Sequence, residues 1–163
     1  MDQEKLKTSL RYDADTGEFY WNVPKKTRYG IVQPGARAGY TLQNGYRIIG
    51  LDKERLLSHR LAWLYVYGKW PQGFIDHIDG DRANNAISNL RVASRSQNSW
   101  NSRKTWGKSG IRGVTFNRNE GRWVANININ GARRFLGYFD DPESAKAAYG
   151  DAAKQAQGEF YPR

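Results

Sequence analysis

Phe74-Ile75-Asp76-His77-Ile78-Asp79-Gly80-Asp81, followed by Asn89-Leu90-Arg91-Val92 and then Asn98, is the stretch from which the rest of this chain is read. Two apolar residues ending in Asp76-His77 predict a short strand that carries a carboxylate and an imidazole at its end. Ile78 to Asp81 has the Asp-Gly signature of a turn, and Asn84-Asn85 continues that loop. Ile87 to Val92 can enter a second strand, and Ser94 is suited to cap a helix carrying Asn98 one turn in. A strand, a loop, a strand and a helix would bring Asp76, His77, Asn89 and Asn98 together. Nowhere else do a histidine, a carboxylate and two carboxamides recur at a spacing chemistry can use, and His77 is one of only two histidines among 163 residues.

The pattern Asp-His-(x)11-Asn-(x)8-Asn, with Asn89-Leu90-Arg91 inside it, resembles the ββα-metal core of HNH endonucleases. The likeness is to the phage and intron homing type, in which the last His is often replaced by Asn, as at Asn98. It implies that Asp76 and Asn98 hold one divalent metal on the scissile phosphate. His77 would then be the general base that activates water, and Asn89 would orient its ring. Some relatives in that family carry paired Cys-x-x-Cys zinc sites; this chain has no Cys and departs from them.

The chemistry agrees with those roles. Phosphodiester hydrolysis needs an activated water and a cation that neutralises charge on the phosphate and the leaving oxygen. An imidazole with a pKa of about 6.5 is the side chain suited to take that proton near neutral pH. A carboxylate and an amide oxygen form a hard, oxygen-only pair that suits Mg²⁺ or Mn²⁺, one per active site. A calcium loop is the competing reading of Asp76, Asp79 and Asp81 around Gly80. It fails because acidic or amide residues are needed at 75, 77 and 79, and only Asp79 qualifies. His59, at the start of the apolar run Leu61-Ala62-Trp63, reads as a structural partner rather than a second catalytic group.

The charge balance points to nucleic acid. The chain carries a net charge of +10, and residues 91–134 hold ten Lys or Arg against one acid, Glu120. That stripe is interleaved with Trp100, Trp106 and Trp123, a footprint of polyanion binding. The absence of Cys excludes disulfides and a Cys-ligated zinc. No apolar run reaches membrane-spanning length and no signal-peptide core is present, so the expectation is a soluble, cytoplasmic protein without a membrane partner.

Residues 1–55 read as β-rich, with alternation in Gly17 to Trp21 and a Gln43-Asn44-Gly45 hairpin turn between Tyr40-Thr41-Leu42 and Tyr46 to Ile49. Lys25-Lys26-Thr27-Arg28 is placed in a loop. Leu56 to Tyr67 reads as a helix ended by Gly68 to Pro71. Residues 102–109 form a basic linker. Beyond it, Ile111 to Phe116 and Arg122 to Ile129 predict strands, and Asn130-Gly131 predicts a hairpin turn into Arg133 to Phe139. Asp141 caps a helix with Pro142 at its first position and Gly158 at its end.

This second unit resembles the AP2 DNA-binding domain. The likeness rests on Arg112-Gly113-Val114, Arg122-Trp123-Val124-Ala125, Leu136-Gly137-Tyr138-Phe139 and Glu143 to Tyr149. In that family a three-stranded sheet, backed by the helix, lies in the major groove. Arg112, Arg122, Asn126, Asn128 and Arg133 would face DNA by position, with Arg91, Arg103, Lys104 and Arg118 as further contacts from the basic stripe. Asn126 and Asn128 stand where the plant domains carry charged residues, and Asn pairs with adenine.

The expectation is an α+β protein in three parts: an N-terminal β-rich segment and HNH core over 1–101 (motif 74–101), the linker at 102–109, and an AP2-like domain over 110–163. Its expected activity is that of a metal-dependent, site-preferring DNA endonuclease of phage or intron type. It acts on double-stranded DNA as a monomer that nicks one strand, with no small-molecule cofactor. The alternative is a sequence-specific DNA-binding regulator with a degenerate nuclease core.

Overall fold

The computed structural model describes residues 1–100, 109–129 and 131–158, and the chain divides into two compact units, 1–98 and 99–163. Linker residues 102–108, with Arg103, Lys104 and Trp106, and the turn residue Asn130 lie outside the described residues.

The first unit opens with a helix where the sequence predicted only strands. α1 (Gln3–Ser9) is started by Asp2, whose carboxylate accepts from the Lys5 amide at 2.9 Å. Seven residues are too few to hold a helix in water alone; burial of Leu6 fixes it. β1 (Leu10–Tyr12) and β2 (Phe19–Trp21) pair antiparallel, with Leu10, Tyr12, Phe19 and Trp21 turned into the core. β3 (Lys25–Thr27) and β4 (Gly30–Val32) follow as a second ribbon, so Lys25 to Thr27 lie in a strand rather than in the expected loop. β5 (Tyr40–Thr41), β6 (Arg47–Leu51) and β7 (Glu54–Leu57) make a three-stranded sheet, with the Gln43-Asn44-Gly45 turn between the first two.

α2 (Ser58–Tyr67) begins later than predicted, because Leu56 and Leu57 belong to β7. It buries Leu61, Ala62 and Leu64, and ends at Gly68, whose φ of 73° is a left-handed cap. β8 (Phe74–His77) and β9 (Leu90–Ala93) pair antiparallel in the register Phe74↔Ala93, Ile75↔Val92, Asp76↔Arg91 and His77↔Leu90. Residues Ile87–Asn89, read as the start of the second strand, form a single 3₁₀ turn instead. α3 (Arg95–Trp100) carries Asn98. Ser94 caps it as expected: its hydroxyl accepts from the Gln97 amide at 3.2 Å, and the Gln97 side chain accepts from the Ser94 amide at 2.8 Å. Leu6, Leu10, Phe19, Ile49, Leu61, Ile75 and Leu90 close one apolar core around these elements.

In the second unit β10 (Val114–Asn117), β11 (Arg122–Ile129) and β12 (Ala132–Phe139) form an antiparallel sheet in chain order, and α4 (Pro142–Gln157) packs on it. β10 starts three residues later than predicted, since Ile111 to Gly113 turn before it. The register slips between Ala125 and Asn126. β12 absorbs the extra residue near Gly137, so Leu136 and Gly137 break its alternation. Ala125 buries against Val114 and Ala145, and the small alanines let the helix lie close; Ile127 is buried as well. Asp141 accepts from the Ser144 amide at 2.8 Å and Pro142 follows it, as the sequence predicts. Among the described residues no helix is long and apolar enough to cross a membrane.

Gly17 ties the β1–β2 turn to the loop after β8. Its φ is +74°, and a Cβ there would lie 2.2 Å from the Ala86 nitrogen and the Asn85 carbonyl carbon. Gly17→Ala is therefore expected to destabilise the chain by more than the about 1–3 kcal/mol that left-handed strain costs by itself. Urea unfolding monitored by tryptophan fluorescence measures this, and a wild-type midpoint would contradict the close approach.

Candidate active site

The twelve residues between His77 and Leu90 would be a floppy connection without side-chain bonds, because their backbone makes few ladder contacts. Asp79 supplies the closure. Its carboxylate accepts from Asn84 Nδ2 at 2.7 Å, Asn89 Nδ2 at 3.0 Å and the Asp81 amide at 2.8 Å. Asn89 completes the ring: its Oδ1 accepts from the Asp79 amide at 3.1 Å, and its Nδ2 also donates to the Asn84 carbonyl at 2.9 Å. Partial burial pushes the Asp79 carboxyl up, but these hydrogen bonds outweigh it and hold its pKa below the usual range.

His77 sits at the end of β8, buried at 4% exposure. Its Nε2 lies 3.2 Å from Oδ1 of Asn85, which has no exposed surface at all. Asn85 is held in turn: its Nδ2 donates to the Ala83 carbonyl at 2.9 Å, and its own carbonyl accepts from the Tyr12 hydroxyl at 2.7 Å. The family resemblance implies a ring-orienting role for Asn89. In the structure the side-chain bonds of Asn89 described above close the loop, and the amide on His77 Nε2 belongs to Asn85. In the sequence Asn85 reads as part of a turn, since nothing local marks an Asn that the distant N-terminal hairpin buries.

Two further rings and a guanidinium surround the imidazole or its neighbours. His59 stands edge-on to His77 with centroids 5.2 Å apart, and Tyr46 lies 5.4 Å from His59 and 6.1 Å from His77. The Arg82 guanidinium covers Tyr46 at 4.9 Å. Burial lowers the His77 pKa, with the Asn85 bond and the charges of Asp79, Asp76 and Asp81 opposing that shift. His59 is driven further, to about 3, by burial first and then by His77 and Arg60. His59 thus stays neutral well below pH 6.5, where a solvated imidazole would be charged. Its Nδ1 is sealed from solvent without a hydrogen-bond partner.

Asp76 faces Arg91 directly across the β8–β9 ladder and is 3% exposed. Arg91 Nε and Nη2 reach the same oxygen, Oδ2, at 2.9 and 2.8 Å. Arg91, expected on DNA, is engaged with this carboxylate. Among the described residues no three His, Cys, Asp or Glu side chains cluster as a metal site. A site built from Asp76 and one amide is outside that pattern. The donors are chemically suited to a hard divalent ion: a carboxylate offers about four lone-pair positions, so two contacts from Arg91 do not exhaust it. Asn98 is half-buried in the first turns of α3, whose backbone bond from Asn98 to Ser94 measures 3.0 Å.

The remaining candidates lie in the second unit. Val124 pairs with Thr115 and Tyr138, Asn126 with Phe135, and Asn128 with Arg133. Ala125 and Ile127 are buried on one face of β11, so these residues share the opposite, open face. Asn126, Asn128 and Arg133 border a groove with Gly113 and Thr115. Arg122 is paired with Asp140, Nε and Nη2 each 2.9 Å from Oδ1. Arg118 is exposed and Arg112 half-buried.

Residues 57–100, which contain His59, Asp76, His77, Asn89 and Asn98, match the family model described as HNH endonuclease. An HNH endonuclease of Acanthamoeba polyphaga mimivirus, L560, is 32% identical over 74% of this chain and 63% of its own length. Protein 3.8 of Escherichia phage T7 is 35% identical over 45% of this chain and 62% of its own. YosQ, a protein of an SPbeta prophage in Bacillus subtilis named as an HNH homing endonuclease, is 31% identical over 61% of this chain and 56% of its own. The chain thus spans less than two thirds of the length of each of these relatives. Among solved structures, the HNH homing endonuclease I-HmuI covers 97% of this chain at 20% identity, 82% of its own length and a TM-score of 0.46, a level that supports no statement about the fold.

Two outcomes test this arrangement. Asn85→Ala removes a contact that favours the charged imidazole, so the His77 pKa is expected to fall further below 6.5 in an NMR titration. An unchanged or raised value would contradict the Asn85 contact. Because folding lowers the His59 pKa from 6.5 to about 3, its contribution to stability is intact above pH 6.5 and is lost as pH falls toward 3. The loss is at most about 1.4 kcal/mol per pH unit. His59→Phe should flatten the dependence of urea stability on pH between 6.5 and 4.5; an identical slope in the variant would refute burial as its cause.

Proposed function

We propose that this chain, with the HNH endonuclease segment of residues 57–100, hydrolyses DNA phosphodiester bonds at preferred sites, using His77 as general base and a divalent cation held by Asp76 and Asn98. The observation that carries the reading is the His77 imidazole. It is buried at a strand end beside Asp76, held by a fully buried amide and kept neutral by its surroundings. A base with a depressed pKa is unprotonated at neutral pH and ready to accept a proton.

In the proposed step, His77 takes a proton from a water molecule as the water oxygen bonds to phosphorus. The P–O bond to the leaving oxygen breaks with its electron pair, and the proton on His77 passes later to solvent. The ion, Mg²⁺ or Mn²⁺, would supply charge neutralisation at the phosphate and leaving oxygen. Arg91, on Oδ2 of Asp76, fixes the plane of that carboxylate. Asn89 acts on the step through the loop, by holding Asp79 and Asn84.

DNA recognition is assigned to the AP2-like sheet of the second unit, with Asn126, Asn128, Arg133 and Arg112 on double-stranded DNA and Arg118, Arg122, Arg103 and Lys104 as backbone contacts. Support comes from the shared open face of Asn126, Asn128 and Arg133 and from the basic stripe over 91–134. One active site per chain makes a monomer a nicking enzyme. A second reading, a DNA-binding regulator without cleavage, draws on the Asp76–Arg91 pair, which neutralises the one carboxylate of the proposed metal site.

Supercoiled plasmid separates the two. Conversion to the open circle in Mg²⁺ or Mn²⁺, and none in EDTA, is the expected outcome; plasmid left supercoiled in both ions supports the regulator. His77→Ala should lower the cleavage rate by about 10²–10⁴-fold and leave affinity in a gel shift nearly unchanged. A large affinity loss would remove the role given to His77.

A further inference from the structure

The ribbon of β3 and β4 takes no part in the chemistry above. Its register, Lys25↔Val32, Lys26↔Ile31 and Thr27↔Gly30, leaves Arg28 and Tyr29 as a two-residue tip. The Thr27 hydroxyl pins that tip, accepting from the Tyr29 amide at 3.2 Å and donating to the Gly30 carbonyl at 3.0 Å. Lys25 and Val32 are half-buried at the base, and every residue from 26 to 31 is exposed. Tyr29 is 85% and Ile31 63% exposed.

A free-standing two-stranded ribbon is marginal in water, and large apolar side chains at its end gain nothing from a core they do not reach. Three cations accompany them. Lys25 lies 5.2 Å from the Trp21 ring, and the Arg28 guanidinium covers Tyr29 at 4.6 Å. No acidic residue occurs between Glu18 and Asp52. Glu18 is taken by Arg37 and Arg47, and Asp52 by Lys5, so among the described residues no carboxylate forms a salt bridge with Lys25, Lys26 or Arg28. Lys25 feels Asp52 only at longer range.

We propose that the β3–β4 ribbon is a second DNA-binding arm, with Lys25 and Lys26 on phosphates and the Arg28-Tyr29 tip and Ile31 in the major groove. This rests on the reading of the chain as a DNA endonuclease. The major groove, about 12 Å wide, admits a two-stranded ribbon whose strands are about 4.8 Å apart, whereas the minor groove, about 6 Å wide, does not. Arg28, held flat on Tyr29, presents the planar fork that pairs with guanine O6 and N7. The ribbon belongs to the same unit as His77, so it supplies DNA contact there that does not depend on the second unit.

The test is duplex binding by the full chain in EDTA, so that no strand is cut, across a salt series. Lys25→Gln/Lys26→Gln/Arg28→Gln should reduce the slope of log K against log salt by about 1.8, at about 0.9 for each of the two phosphates that lose Lys25 or Lys26. Tyr29→Ala/Ile31→Ser should keep the wild-type slope but lose guanine-N7 protection at one part of the footprint, with about a tenfold fall in specific over non-specific affinity. Thermal midpoints of both variants should stay close to the wild type, since of the five residues only Lys25, over the Trp21 ring, approaches the core. Wild-type slope and wild-type footprint in folded variants overturn the arm alone. Failure of the wild type to bind any duplex overturns the DNA reading itself, and the arm with it.

Discussion

Asn85 is the constraint on which the site depends. A carboxamide with no exposed surface must satisfy its polar atoms within the protein, because each one left unpaired costs about 1–3 kcal/mol. It does so with Nδ2 donating to the Ala83 carbonyl and Oδ1 on His77, while the backbone carbonyl of Asn85 accepts from the Tyr12 hydroxyl of β1. Gly17 allows the β1–β2 turn to press against the same backbone. The orientation of the imidazole is therefore set by the packing of the N-terminal hairpin as much as by the strand that carries it. The Asp79–Asn84–Asn89 network then fixes the loop from the solvent side.

The electrostatics of the site follow from that packing. Rings of His59 and Tyr46 remove water from around His77, and burial keeps both imidazoles neutral. One carboxylate with an arginine across the ladder is a nearly neutral pair, the least costly way to keep charge at 3% exposure. A cation arriving at Asp76 meets a carboxylate already fixed in orientation, and it competes with Arg91 for that charge. In the proposed site the metal affinity would be set by this balance, which connects the register Asp76↔Arg91 to the proposed activity.

The parts legible in the sequence are those whose signals are local. β11 alternates over eight residues, α4 carries Asp141, Pro142 and Gly158 at its ends, and Ser94 reaches Gln97 three residues on. Phe74 to His77 ends where the Asp-Gly turn begins. Signals that needed tertiary partners were missed. α1 has one buried residue, Leu6, and no periodicity to reveal it. β7 takes Leu56 and Leu57 because they pair with Ile49 and Ile48, overriding a helical pattern that begins in the same place. The Lys25 ribbon lacks the alternation of a half-buried strand because almost none of it is buried. The role of Asn85 was unreadable because Tyr12 and Gly17 approach it only in the fold.

The proposed chemistry requires Asp76 and Asn98 to share one divalent ion beside the Asn85-held imidazole. Anomalous scattering from a crystal of the chain grown with Mn²⁺ tests it most directly. A single manganese peak in contact with an Asp76 oxygen and the Asn98 amide oxygen, with His77 Nε2 still on Asn85, is the expected result. No peak there in crystals that take up manganese elsewhere, or Asp76 bound by Arg91 alone, would contradict it.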